Sequence, residues 1–398
     1  MTVLGELAER GRAAQDPRLD GLVGDHLLDA FACLVSGRGA PLAARLAGLT
    51  DPGSVLLRGS LVHVDEFDVL HGPAAVAPAS VVIPVAWQLA PDGRRFADAV
   101  VTGTEVVVEA ALRFGGAQLY RAGWWPTALF GALGAAAAAA VCASLDAPTT
   151  VQALALAAAP LGGLFSADVF ADSHYLLPGQ AAERGIWAAR AAAAGCTSST
   201  RLFDEPAAAA LGRAAAPPSP GGPHLLDVDF KAWPCARPLH AVLAALAELE
   251  ADGVVPGDGD VVEVGLPAAA LRFVTDDPEP ATPAAAAASA SVAVAGAVRG
   301  RADDPAWYRA PEPGPAVHVR AVPELDAYFP RHWAAEVTVR GVRRRVLTPP
   351  VLTPQRRVAK AAFLFGVDPG DPLIDGLRGV ARQADLAELR AAVEPFLP

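Results

Sequence analysis

Five titratable side chains have types and spacing that could carry proton-transfer chemistry. Glu66, Asp68 and His71 stand in one short segment, and His71 lies three residues past Asp68, so these two could meet on one helical turn. His174 suits general acid–base catalysis near neutral pH, because imidazole titrates at about pH 6.5. Lys231 could hold an anionic substrate, or serve as a base if burial lowers its pKa. These residue types predict an enzyme that moves protons beside a fixed positive charge.

Lysine is rare in this chain, so the position of each lysine is informative. The 32 basic residues comprise 30 arginines and two lysines, Lys231 and Lys360, in a sequence rich in alanine and proline. That bias indicates a GC-rich genome, such as that of an actinomycete, but it does not explain why one lysine stands in the segment Asp229–Cys235. We therefore expect Lys231 to line a pocket. Lys360 follows an amphipathic helical pattern and is expected at the solvated surface.

A long segment of small residues, Trp124–Ala140, predicts a buried helix. Pro126 suits its first turn because the N–H that proline lacks would be unpaired there. The glycines and alanines that follow allow neighbouring backbones to approach closely. Trp124 and Trp125 place two large side chains at the N-terminal end, where free N–H groups attract anions. Both tryptophans are therefore candidate substrate-binding residues.

Periodicity divides the chain into a helical part and a mixed part. Residues 1–215 are typical of helices buried on several faces, and Ala214–His224 is a linker rich in proline and glycine. Beyond the linker, alternation predicts strands that begin at Val261, Ala316 and Ala335. The last two strands are expected to form an antiparallel hairpin. Pro283–Val298 and the chain from Thr353 onward follow helical patterns, so the sequence predicts a mainly α fold with an inserted α+β domain.

Composition argues against several classes of protein. With 398 residues, of which 53% are hydrophobic, the chain can bury a large core and is expected to form two domains. The net charge of −11 argues against a nucleic-acid partner. No apolar run has the character of a spanning helix, and the acidic N-terminus is unlike a signal peptide. The four scattered cysteines show no metal-binding spacing. We expect a cytoplasmic protein with a small-molecule substrate and no membrane or nucleic-acid partner.

Five motifs occur in a fixed order along the chain. They are His63–His71, Ala77–Pro84, Gly123–Ala136, His174–Gly185 and Asp229–His240. This series resembles the MmgE/PrpD family, which includes 2-methylcitrate dehydratase, cis-aconitate decarboxylase and iminodisuccinate epimerase. The resemblance implies a helical domain (1–226 and 352–398) that faces an inserted α+β lid domain (227–351) across the active site. It also implies a homodimer whose reaction needs no metal and no organic cofactor.

Several functional positions of that family are replaced in this chain. The replacements are Leu70 for a threonine, Ala77 and Trp125 for histidines, His174 for a lysine and Ser291 for a tyrosine. The exchanges remove fixed positive charge from the expected pocket and add apolar surface. A tricarboxylate would be poorly held there, because each buried carboxylate needs paired donors.

The acidic positions and one lysine are kept, and they define the predicted site. The candidate catalytic residues are Glu66, Asp68, His71, His174 and Lys231, and the candidate substrate-binding residues are Trp124, Trp125, Leu70, Ala77, Ser291 and His240. We expect a cofactor-free acid–base lyase of the dehydratase or elimination type. Its substrate would be a natural-product intermediate with fewer carboxylates than methylcitrate or aconitate.

Two alternatives to a lyase stay open at this point. One is an isomerase, either an epimerase or a cyclase, that uses the same groups in an apolar pocket which shapes its substrate. The other is a non-catalytic paralogue that serves as a scaffold subunit.

Overall fold

Two separate hydrophobic cores organise this chain, of which the computed structural model describes residues 1–165 and 171–397. The larger core combines side chains between Val3 and Ala232 with side chains between Leu352 and Leu397. The smaller core is built from the intervening residues, Cys235 to Val346. The fold is therefore mainly α, with a smaller α+β part inserted into a larger helical part, as the sequence predicts. The exact domain bounds stay a prediction.

Most of the chain is helical. The helices before the insertion are α1 (Val3–Ala13), α2 (Asp20–Gly37), α3 (Pro41–Leu46), α4 (Val55–His63), α5 (Ala79–Leu89), α6 (Gly93–Arg113), α7 (Pro126–Cys142), α8 (Ala147–Ala158), α9 (Asp172–Ala193) and α10 (Pro206–Leu211). The insertion contains α11 (Arg237–Ala251), α12 (Pro283–Ala288), α13 (Ala290–Val298) and α14 (Pro305–Arg309). The chain ends with α15 (Pro354–Phe365), α16 (Pro372–Arg378) and α17 (Ala387–Val393). Among the described residues, no helix combines the length and the apolar character needed to cross a membrane.

Helix α7 lies at the centre of the larger core. It is buried from its first residue, Pro126, to Ala140, and it packs against α5, α6, α8 and α9. Its small residues permit this crowding, because a Cβ on Gly134 would lie 2.8 Å from the carbonyl oxygen of Gly103 on α6. The buried helix predicted for the segment Trp124–Ala140 is confirmed, and it begins at Pro126.

Helices α4 and α9 cross at a point of near backbone contact. A Cβ on Gly179 would lie 2.1 Å from the carbonyl oxygen of Leu56, and a Cβ on Gly59 would lie 2.9 Å from the Cα of Gly179. No larger side chain fits at either glycine. This crossing brings together the last residue of α4, His63, and the first turn of α9, which carries His174.

The insertion contains a four-stranded mixed sheet. Its strands are β1 (Val261–Leu266), β2 (Ala316–Ala321), β3 (Ala335–Val339) and β4 (Val342–Val346), in the spatial order β2-β1-β3-β4. Strand β1 pairs parallel to β2, with Val261 opposite Ala316, and antiparallel to β3, with Val264 opposite Val337. Helix α11 packs against β3 and β4 and also contacts α13.

The predicted hairpin between β2 and β3 is wrong, because β1 lies between these two strands. The hairpin joins β3 to β4 instead. Arg340 and Gly341 form its two-residue turn with φ values of 50° and 78°, as a tight hairpin turn requires. Strand β4 carries three consecutive arginines, which hide the alternation that would reveal it. The predicted helix over Pro283–Val298 is also divided, because the chain is extended at Ser289 between α12 and α13.

Candidate active site

A cavity of about 700 Å³, measured out to its mouth, lies between the two cores. The larger helical part contributes His63, Glu66, Leu70, Ala77, Tyr120, Trp125, Thr127, His174, Tyr175 and Lys231, among other residues. The insertion contributes Arg237, Phe273, Ala284, Ala287, Ala288 and Trp333. Most of this wall is apolar. Four titratable residues on it, His63, Glu66, His174 and Lys231, are called the cavity cluster below.

Glu66 is the centre of the cavity cluster. Lys231 donates hydrogen bonds to the Glu66 carbonyl oxygen at 2.8 Å and to its Oε2 at 2.9 Å. Burial opposes ionisation of this carboxyl, but the charges of Lys231 and His63 outweigh burial and hold its pKa well below the usual range. The backbone of Glu66 has a φ of 52°, which residues with side chains rarely adopt. Lys231 thus fixes both the ionised side chain and the strained backbone.

Two histidines face the other oxygen of this carboxylate. Oε1 of Glu66 lies 3.8 Å from Nε2 of His63 and 3.5 Å from Nε2 of His174, and the two nitrogens are 3.4 Å apart. Nδ1 of His63 also contacts Oδ1 of the fully buried Asp68 at 2.9 Å. Three acid–base groups therefore meet at one point of the cavity wall.

The two histidines differ in their tendency to hold a proton. Burial disfavours the charged form of His63, but Asp68 and Glu66 outweigh burial and raise its pKa. Burial also disfavours the charged form of His174, and the hydrogen bond that this form donates to Glu66 does not compensate, so the pKa of His174 is lowered. The cluster thus pairs a histidine that tends to be protonated with one that tends to be neutral, as an acid and a base require.

Aromatic rings hold these histidines in place. Trp125 stacks on His174 with ring centres 4.0 Å apart and an angle of 28°, and it also stacks on His63 at 5.4 Å. Tyr175 meets His174 edge-on at 5.0 Å. The Trp125 side chain, just ahead of α7, is the part of the predicted aromatic pair that lines the cavity. Trp124 is only half-buried, pairs with Leu164 through its backbone and does not line the cavity.

The second lysine, Lys360, is buried next to the site. The surface position expected for it is therefore wrong. Its side chain is 6% exposed and donates to Oδ1 of Asp29 at 2.6 Å. It also donates to the carbonyl oxygens of Phe67 at 2.7 Å and of Lys231 at 3.2 Å. Burial disfavours its charge, but Asp29 outweighs burial and raises its pKa. Lys360 therefore ties together the two segments that carry Glu66 and Lys231.

The helical turn expected to join Asp68 to His71 does not form. Helix α4 ends at His63, and the chain then runs through turns, so Asp68 faces His63 instead. His71 lies outside the cavity wall, where its Nδ1 accepts a hydrogen bond from the backbone of Ala74 at 3.1 Å. Burial lowers the pKa of His71 to about 3, so it stays neutral.

Two other predicted residues, Ser291 and His240, also lie off the cavity wall. The hydroxyl of Ser291 donates to the carbonyl oxygen of Asp276 at 2.7 Å. His240 lies on α11 with its Nδ1 3.4 Å from Arg237, and burial first, then the charges of Arg237 and Lys231, hold its pKa well below the usual range. The predicted substrate-binding residues on the wall are therefore Leu70, Ala77 and Trp125.

One residue of the wall, Arg237, has no distinguishing signal in the sequence. It is one of 30 arginines. Its Nη2 donates to Asp229 at 2.7 Å, while its Nε is buried and has no partner in the part of the chain that the structure describes. Arg237 adds a second cation to the wall that carries Lys231. His63 is visible in the motif His63–His71, but only the structure distinguishes it from a core histidine.

Comparisons with known proteins agree with the resemblance seen in the motifs. Residues 23–212 match the MmgE/PrpD N-terminal domain. The chain is 26% identical over 208 residues to a cis-aconitate decarboxylase-like protein from Aspergillus oryzae, and the match covers 45% of this chain. It spans 43% of the length of that relative.

Proposed function

We propose that this chain, which matches the MmgE/PrpD N-terminal domain over residues 23–212, is a divergent member of that family and a lyase-type enzyme acting by proton transfer. The single observation that carries the proposal is the convergence of the cavity cluster on one point of a largely apolar cavity. Buried titratable groups are costly, and they persist on cavity walls where a reaction needs them.

The geometry suggests roles for three members of the cluster, His174, Lys231 and His63, and for the neighbouring Arg237. His174, held neutral, removes a proton from the carbon next to a substrate carboxylate. Lys231 and Arg237 hold that carboxylate and stabilise the enolate-like charge that develops on it. His63 donates its proton to the leaving group on the adjacent carbon. The C–H bond and the bond to the leaving group break, and a C=C bond forms. The proton from carbon stays on His174, and the proton from His63 departs with the leaving group.

The remaining wall suggests the substrate class. Leu70, Ala77, Trp125, Phe273 and Trp333 offer apolar surface and no cation. A substrate with one carboxylate and an apolar body suits this wall, because additional carboxylates would be buried against it without a cation. We propose a 3-hydroxy acid, or an acid with another leaving group at that carbon, of the kind found among natural-product intermediates. No metal or organic cofactor takes part in this scheme.

A substrate panel in D₂O followed by NMR tests the proposal. The panel contains 3-hydroxy monocarboxylic acids with apolar chains of graded length, together with citrate, 2-methylcitrate and cis-aconitate. We expect an α,β-unsaturated monocarboxylate from at least one chain length and no useful turnover of the three polycarboxylates. Turnover of the polycarboxylates alone would contradict the proposed substrate class.

The same spectra distinguish a lyase from an isomerase and from a non-catalytic paralogue. Deuterium that enters the substrate at the carbon next to the carboxylate, without elimination, would indicate an isomerase. His318→Ala is the matched control for all site variants, because His318 is an exposed strand residue that does not line the cavity. Inactivity of the wild-type chain on every class of acid in the panel would favour a non-catalytic paralogue.

A further inference from the structure

Three atoms of the cavity cluster surround a single point. Nε2 of His63, Nε2 of His174 and Oε1 of Glu66 form a nearly equilateral triangle with sides of 3.4, 3.5 and 3.8 Å. A point equidistant from the three atoms lies about 2.1 Å from each, which is the bond length of Zn²⁺ to histidine nitrogen and carboxylate oxygen. We propose that this triangle binds one divalent transition-metal ion, such as Zn²⁺, with a further coordination position open to the cavity.

The surroundings of the triangle suit a metal site. Asp68 contacts Nδ1 of His63 at 2.9 Å, so Nδ1 donates its proton there, and Nε2 becomes the metal-binding nitrogen once the ion displaces its proton to solvent. A carboxylate behind a ligating histidine is the usual arrangement that fixes the ring and raises its basicity. Trp125 holds the ring of His174 by stacking at 4.0 Å. Both rings are thus oriented before an ion arrives.

Lys231 limits how tightly the ion is held. Its Nζ bonds to Oε2 of Glu66 at 2.9 Å and leaves Oε1 for the metal. The ammonium charge nevertheless opposes a second cation nearby, so we expect weaker binding than in structural zinc sites. An ion on Nε2 of both histidines would also occupy the lone pair that the proposed reaction uses. The ion is therefore an inhibitor of that reaction, and this inhibition, unlike the binding itself, rests on the proposed function.

A second set of possible ligands does not compete. His71, His224 and Asp227 also lie close enough to share an ion. However, Nε2 of His224 is already 2.8 Å from Glu109, and Nδ1 of His71 accepts the backbone N–H of Ala74. One nitrogen of each of these histidines is thus engaged by a protein partner, and none of the three residues lines the cavity, whereas all three residues of the triangle do.

Titration of chelator-treated protein with Co²⁺, followed by visible absorption, tests the site directly. We expect one ion per chain, the intense absorption of a four- or five-coordinate site, and displacement by Zn²⁺. His174→Ala and Glu66→Gln each remove a ligand and should abolish the spectrum. Asp68→Asn should weaken binding about 10–100-fold, as expected for a residue behind a ligand. His318→Ala should bind as the wild type does.

Several outcomes would overturn the inference. The first is the absence of a Co²⁺ spectrum in the wild-type chain. The second is equal binding of Co²⁺ by the wild-type and His174→Ala proteins. Circular dichroism of each variant confirms that the fold is intact. Activity measured in chelator keeps the two proposals apart. Elimination without metal, lost on addition of Zn²⁺, supports both proposals. A Co²⁺ spectrum without any elimination supports the site and overturns the function.

Discussion

Two buried clusters of histidine, carboxylate and basic residues occur in the larger helical part, and they differ in what they face. The cavity cluster faces an apolar cavity. The second, which we call the linker cluster, consists of Arg10, Glu105, Glu109 and His224. His224 is 3% exposed and each glutamate is 1% exposed. The residue types are nearly the same in the two clusters, but the first lines a largely apolar cavity, whereas Arg10 and Glu109 of the second line a pocket that they share with other charged residues, Glu6, Glu9 and Arg113.

The linker cluster uses its charges to hold the chain in place. Arg10 bonds to Glu105 at 2.7 Å and to the carbonyl oxygen of Ser219 at 2.7 Å. The backbone N–H groups of Ser219 and His224 donate to Glu109 and Glu105. Each charge therefore anchors the linker onto α6. In the cavity cluster, by contrast, the polar partners of His63 and His174 among residues 1–165 and 171–397 are each other, Asp68 and Glu66. The comparison teaches that residue types do not separate a structural cluster from a reactive one, whereas the partners that hold each charge and the polarity of the adjoining pocket do.

The largest expected effect is on turnover, after changes in the cavity cluster. His174→Ala removes the proposed base and Lys231→Ala removes a fixed cation, and we expect each to lower kcat by about 10²–10⁴. The measurement is turnover of the substrate that the NMR panel identifies, with His318→Ala as the control. Near-wild-type rates for both variants would contradict the acid–base scheme.

Changes in the linker cluster should act on stability instead. Glu105→Ala removes the nearer of the two carboxylates beside Arg10 and leaves the backbone N–H of His224 without its acceptor, and removing one member of a buried ion pair typically costs about 3–5 kcal/mol. We expect a loss of that size in the free energy of unfolding, measured with urea, and an unchanged turnover per folded molecule. Arg10→Lys is the milder companion if the alanine variant does not fold. A turnover loss as large as that of His174→Ala would erase the distinction between the clusters.

Trp125→His should change the substrate preference of the cavity. It shrinks the apolar wall and adds a group that can carry positive charge. We expect about a tenfold loss in kcat/KM on the apolar monocarboxylate and better binding of dicarboxylates. Competition between the two substrate types in one reaction measures the ratio directly. An unchanged ratio would show that Trp125 serves only to hold His174.

The smallest expected effect is the pH dependence of stability, which arises outside the cavity cluster. Burial lowers the pKa of His26 and of His71 to about 3. The unfolded chain binds protons at these histidines below about pH 6.5, and the folded chain does not. Stability is therefore full above about pH 6.5 and falls as the pH drops toward 3. Each histidine contributes a loss of about 1.4 kcal/mol at about pH 5.5.

Urea unfolding of wild-type and His26→Gln protein at two pH values checks this prediction. The loss of stability between about pH 7.5 and about pH 5.5 should be smaller in the variant by about 1 kcal/mol. Parallel curves for the two proteins would mean that His26 titrates alike in the folded and unfolded chains.

The sequence predicts features that depend on local pattern and misses those set by distant partners. The helix α7 follows from a proline and a run of small residues within one segment. The position of Lys360 does not follow from its own helix, because burial of that lysine depends on Asp29, more than 300 residues away in the chain. His71 fails in the same way, since the turns after His63 rotate it out of the cavity. The neighbourhood of Lys231 and Glu66 was predicted through the family resemblance rather than through periodicity.

The most direct test of the central claim is the loss of hydrogen from the substrate carbon to solvent. Substrate deuterated next to the carboxylate is incubated with wild-type, His174→Ala and Glu105→Ala protein, and release of deuterium is followed by NMR. We predict release by the wild type and by folded Glu105→Ala at similar rates, and a loss of at least about 10² in His174→Ala. Equal release by the wild type and His174→Ala would contradict the claim that the cavity cluster carries out the proton transfer.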